Sequence, residues 1–310
     1  MAELELPGLS GSNPLGFMAA LGVQVALAET NGELRLGWTD SLVPAAIVDS
    51  EFDVDEIVAR VVSVSRSWAS GPALNPAPTR DDVKFPANAI RDYLDQARGL
   101  RDGALAASLV AENSLDAVSG TKAKPTDLDF TSGNQKLLDM MRRVLTETSP
   151  DDIAGTVLGA WQYSDRLPSL GWDVVDDRQY ALEAFDPTDS KNNPKLSCPG
   201  AQCLAILGMA SFSAFRGGRK TATTACHGTW NQGCFSWPLW AHPVSLSVSR
   251  TLISHASIPP DDVVSAGSDS LRSRSRQFAG WGLFQVLASN IDRSSKYGRF
   301  GPPRVIWQRD

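Results

Sequence analysis

The chain has 310 residues, 42% of them hydrophobic and 21% charged, with nine Trp, four Cys and a net charge of −6. That is a globular composition with enough chain for a substantial core and a soft expectation of about two domains, and it excludes a disordered, collagenous or disulfide-scaffold protein. No apolar run approaches the ~20 residues that cross a bilayer, and the acidic opening "MAELELPG" lacks the basic start of a signal peptide, so the expectation is a soluble, cytoplasmic protein with reduced thiols and no membrane partner.

In chain order, "ELELPG" alternates and reads as a short strand, and "LSGSNP" as a turn. Asn13 followed by Pro14 is a strong helix start, and that helix ends near Asn31-Gly32. "ELRLGW" is a second strand, and "DVDEIVARVVSVSRSWA" a helix with acids in its first turn. A proline-rich loop follows. Residues 86–112 read as one or two helices with Ile90, Tyr93, Leu94 and Ala97 on one face. "TSGNQKLLDMMRRVLTET" has the clearest helical period and invites a cap from Thr131 or Ser132. A helix from Asp151 to about Trp161 is expected next, then a strand over "QYALEAF" and a helix opening at Pro199.

Residues 217–233 read as a small, polar loop, "CFSWPLWAHP" as a strand and "VSLSVSRTLISH" as a helix. "SLRSRSRQFAG", "GLFQVLASNI" and "RVIWQ" read as three strands of one sheet. Helices and strands mix without a regular βα alternation, so the expected class is α+β with antiparallel sheet.

The charge is unevenly placed. Residues 216–310 hold 12 Lys/Arg against 5 Asp, and the last Glu of the chain is Glu183. The expected organisation is an acidic, mixed region over 1–215 and a basic, sheet-rich region over 216–310. A basic face of this kind suits a polyanion. Its candidate contacts are Arg216, Arg219, Lys220, Arg272, Arg274, Arg276, Arg293, Lys296 and Arg299 for phosphates, with Trp237, Trp240 and Tyr297 as rings for unpaired bases. In a strand, Arg272, Arg274 and Arg276 share one face; the bland alternative is a solvated edge strand whose charges oppose aggregation.

Catalytic signatures are few. No phosphate-binding glycine loop, nucleophile elbow or H-E-x-x-H occurs. Cys198, Cys203, Cys226, His227, Cys234 and His242 are numerous enough for zinc but lack paired C-x2-C knuckles, so no metal is expected. The acidic run "WDVVDDRQYALEAFDP" offers Asp173, Asp176, Asp177 and Glu183 as carboxylates for a metal-dependent phosphodiesterase. Strand period and turn chemistry distribute those carboxylates around a strand instead of converging them.

Four segments carry a resemblance. "NPLGFMAALGVQVALAE", "LDFTSGNQKLLD", "GWDVVDDRQYAL…DP" and "FSWPLW" resemble, in the same order, segments of CRISPR-associated proteins of the type I-U/I-G subtype, in the large-subunit-like Csb/Csx group and the related extension region of its helicase–nuclease. The matched positions are Asn13, Phe17, Gly133, Gln135, Lys136, Trp172, Asp177, Arg178 and Tyr180; Val174 and Gln179 stand where the family pattern has Pro and Arg. The resemblance implies a non-enzymatic component of an RNA-guided DNA-targeting complex, with other effector subunits and RNA or DNA as partners and no cofactor.

Overall fold

The computed structural model describes residues 2–116, 119–131, 133–174, 196–217, 220–230, 232–259, 268–293 and 298–309. Helices and small antiparallel sheets share it, as the α+β expectation requires.

The chain opens with β1 (Ala2–Ser10) and α1 (Pro14–Glu29), followed by β2 (Leu34–Trp38) and β3 (Ala45–Ser50). The three strands form a sheet in the order β1-β3-β2, with Val48 of β3 opposite both Leu4 and Leu36. The Asn13 side chain caps α1 through Leu15 N and Gly16 N, at 2.8 and 3.4 Å. Every residue of α1 from Pro14 to Leu27 is buried, so this is a core helix, not an amphipathic one.

Helix α2 (Val54–Ser70) starts with a capping box between Asp53 and Glu56. It leads to α3 (Ile90–Ala97), α4 (Gly103–Leu109), α5 (Leu137–Glu147) and α6 (Pro150–Leu158), the last with a second capping box from Ser149 and Asp152. Helix α5 begins later than its sequence suggests. Both the amide and the hydroxyl of Thr131 are drawn onto the Asp129 carboxylate, at 2.9 and 2.6 Å, and Gly133 takes a left-handed φ of 62°. That local turn excludes Thr131 as a cap, and Ser132 lies outside the described residues.

Helix α7 (Pro199–Gly208) lies against α1 at very short range. A Cβ on Gly22 would stand 1.8 Å from the Leu204 carbonyl oxygen, and one on Gly208 would stand 2.0 Å from that of Met18.

Beyond α7 come β4 (Ala214–Gly217), β5 (Lys220–Thr223), β6 (Cys226–Thr229), β7 (Gln232–Trp240) and α8 (Leu246–Ala256). After them stand α9 (Ser268–Gly280), β8 (Leu283–Asp292), β9 (Arg299–Phe300) and β10 (Arg304–Gln308). The larger sheet runs β10-β8-β7-β6, with β9 also on β8, and β4 pairs with β5.

Two segments fold differently from their sequence expectation. Residues 217–233 are not simply loop: they hold β5, β6 and the start of β7, with Ala225 at φ 69° in the tight turn from β5 to β6 and Gly228 at φ 86° within β6. "SLRSRSRQFAG" lies in a helix, not a strand. Its Arg–Ser alternation imitates a strand, but Ser275 and Phe278, three residues apart, meet Trp307 of β10 through a 2.8 Å hydrogen bond and an edge-on ring contact.

The core is one hydrophobic cluster reaching from Leu6 to Phe300, and both compositional regions supply it. A row of rings runs through it: Trp38 to Phe17 (5.6 Å), Phe17 to Trp237 (6.1 Å), Trp237 to Phe235 (5.3 Å), Phe235 to Phe300 (5.3 Å) and Phe300 to Phe130 (5.0 Å). Strand β2 is tied to the segment after β7 by reciprocal backbone bonds between Leu36 and Val244, both 2.9 Å. Among the described residues no helix is long and apolar enough to cross a membrane.

Candidate nucleic-acid interface

The basic residues do not form a single row. Arg216 on β4 and Arg276 on α9 are exposed, while Arg274 is half-buried. In a helix, positions 274 and 276 are rotated by about 200° from one another, so the shared face expected of a strand does not exist. Arg272 lies in α9 and Lys220 in β5, and Arg219, Lys296 and Tyr297 lie outside the described residues. Arg299 pairs with Asp292 across the β8–β9 end, with contacts of 3.0 and 3.2 Å. Arg304, at the start of β10, is exposed.

Trp237 and Trp240 are not available to bases. They are 0% and 1% exposed, because β7 is a central strand buried continuously from Gly233 to Trp240. Their indole N–H groups donate inward, Trp237 to Gly11 O at 2.8 Å and Trp240 to Leu36 O at 2.6 Å.

Among the described residues the most exposed aromatic of this region, ahead of Trp281, is one the sequence reading did not single out. Trp230 sits in the turn between β6 and β7 and is 51% exposed. The Arg293 guanidinium lies 4.0 Å from its ring centroid and the Lys124 ammonium 5.2 Å. Arg293 follows directly on β8, lies 5.3 Å from the Phe130 ring, and donates to the carbonyls of Asp127 and Trp230. Burial holds its pKa below the ordinary arginine value, opposed by the nearby Asp127 and Asp129 carboxylates. Lys124 stands on a segment held to β5 by Thr221 Oγ1 donating to Lys124 O (3.2 Å) and Asp127 N donating to Thr223 Oγ1 (2.8 Å). The usable signal in the sequence was a Trp placed in a turn, where a polar residue is the common choice.

The segments that carry the resemblance meet in space. Asn13 Nδ2 donates to Asp173 Oδ1 across 160 positions, at 3.1 Å, and Tyr163 Oη donates to Asp173 Oδ2 at 2.7 Å. Trp172 is fully buried and donates to Leu128 O at 2.9 Å, while Phe17 packs on both Trp237 and Trp240. Gly133 forms the turn before α5, Gln135 is half-buried, and Lys136 lies 3.8 Å from Asp82. Asp177, Arg178 and Tyr180 lie outside the described residues, as do Asp176, Glu183 and the strand expected over "QYALEAF". Of the acidic set only Asp173 is described, and it is 3% exposed and held as above. A cavity of about 440 Å³ opens beside Asn13, between Trp161, Tyr163 and Gly8, and among the described residues no basic side chain lines it.

Cys198 and Cys203 have surroundings of their own, whereas Cys226 and Cys234 are close neighbours. Cys198 lies 3.3 Å from Thr156 Oγ1 and Cys203 3.3 Å from Ser65 Oγ, while Cys226 and Cys234 stand on neighbouring strands β6 and β7. Burial raises the thiol pKa values of Cys198, Cys203 and Cys226. Among the described residues no three His, Cys, Asp or Glu side chains are grouped to hold a metal. No protein-family model and no curated protein matches the sequence.

Proposed function

We propose that the chain is a non-enzymatic, cytoplasmic component of a type I CRISPR effector complex, which assembles with other effector subunits and binds RNA or DNA through its basic C-terminal third. The observation that carries this reading is the meeting of the four resemblance segments. Asn13 reaches Asp173, Trp172 reaches Leu128, and Phe17 packs on Trp237 and Trp240. Residues scattered from 13 to 240 that jointly build one interior are what a shared fold constrains, so the matched order in sequence has a common physical basis. The placement of Arg216, Arg276 and Arg304 on the surface supports the electrostatic part.

The test is binding of fluorescein-labelled single-stranded and duplex oligonucleotides, DNA and RNA, followed by anisotropy between about 50 and 200 mM salt. Affinity falls steeply with salt, and the Arg276→Ala/Arg304→Ala double variant has a salt slope lower by about two, one for each phosphate that is no longer neutralised. An unchanged slope removes these residues from the interface. No binding to any of the four probes overturns the nucleic-acid reading. Divalent-metal-dependent cleavage of a probe overturns the non-enzymatic one.

A further inference from the structure

We propose that Trp230 is a stacking platform for one unpaired nucleobase, with Arg293 and Lys124 placed beside it for the phosphates of the same strand. The inference rests on the reading that the chain binds nucleic acid, and it names the form of nucleic acid and the site.

Of the nine Trp, Trp230 is the most exposed. A large apolar ring in a hairpin turn leaves surface in water that a polar turn residue would not. The ring is also held in place. Arg293 spans Phe130 and Trp230, with its guanidinium 5.3 and 4.0 Å from the two centroids, and it donates to the carbonyls of Asp127 and Trp230. Phe130 in turn packs edge-on against Phe300. The platform therefore stands on the core, and a ligand meets a ring already ordered.

The charges around the ring choose the partner. Arg293 and Lys124 are both within cation–π range. Lys122, two residues before Lys124, is exposed. Of the nearby acids, Asp127 lies 3.6 Å from the Lys124 ammonium, and Asp129 is buried and accepts from Thr131. The cations beside the ring favour an anionic partner over a cationic one. A flat π-face carrying a phosphate on each side meets both the ring and the cations, which is how sequence-tolerant single-strand sites are built. A base inside a duplex is stacked on both faces and offers none to the ring, so the site discriminates against duplex.

The experiment uses the full chain with fluorescein-labelled oligo-dT and oligo-rU of about 16 nucleotides and a blunt duplex of the same length. Trp230→Ala weakens single-strand binding by about 5- to 150-fold. Trp230→Phe restores most of it, and the salt slope stays at the wild-type value in both variants, because neither removes a cation. Duplex affinity is unchanged. Matching thermal unfolding curves establish that the variants are folded. If wild-type protein binds single strands and Trp230→Ala binds them equally well, the platform is wrong while the nucleic-acid reading stands. An equal loss on duplex also overturns it. If wild-type protein binds no probe, the underlying reading fails first.

Discussion

The Asn13 amide serves two elements at once. Its oxygen accepts from Leu15 N and Gly16 N at the start of α1, and its nitrogen donates to the buried carboxylate of Asp173. Asn13→Ala removes a helix cap and one partner of a carboxylate that is 3% exposed, a combined cost of about 2 kcal/mol. Urea titration measures it, and Asn13→Ser, which keeps a capping oxygen, recovers part of the loss. Cys203 gives a pH-dependent counterpart. Burial pushes its thiol from 9.0 up to about 11. Below the lower value the thiol is protonated in both folded and unfolded chains, and its contribution to stability is complete. Between the two values the unfolded chain ionises first, so stability falls as pH rises. The urea midpoint is expected to drop over that window, and to drop less in Cys203→Ala.

At the scale of elements, the approach of α1 to α7 is set by two glycines. Gly22→Ala drives a methyl group onto the Leu204 carbonyl at 1.8 Å, which backbone cannot absorb without separating the helices. The expected destabilisation is about 3 kcal/mol or more, read from chemical denaturation. Helix α1 was legible because Asn13-Pro14 is a local signal, and the capping residues Asp53 and Ser149 mark α2 and α6 equally locally. Helix α9 was not legible as a helix. What selects it is Trp307, some thirty positions later, meeting Ser275 and Phe278, and no window of sequence contains that contact. Strand β3 was missed because "AAIVDS" alternates too little to be separated from loop, although it is the centre of its sheet. The candidate site follows the same rule. Basic residues were visible by type, but whether a Trp is buried, as Trp237 is, or presented, as Trp230 is, depends on the number of layers covering its strand or turn.

For the whole molecule, the acidic first two thirds and the basic last third are not independent bodies of charge. The row of rings from Trp38 to Phe130 crosses between them twice, at Phe17–Trp237 and at Phe300–Phe130. The arginines of the last third are therefore carried on a core that the first two thirds help to build. Salt dependence can be read cleanly at exposed Arg276 and Arg304, but not at Arg293 or Arg299, whose side chains also hold structure.

The burial of α1 on all sides has a consequence for synthesis. Its coverings, α7 and β7, lie at residues 199–208 and 232–240. At about 5–20 residues per second a ribosome needs roughly ten to forty seconds to pass from the end of α1 to the end of α7. For that interval a sixteen-residue helix with no polar face waits on the nascent chain beside only the first small sheet and α2. How well that helix is shielded while the ribosome is still working then bears on the yield of native protein alongside the stability of the finished fold.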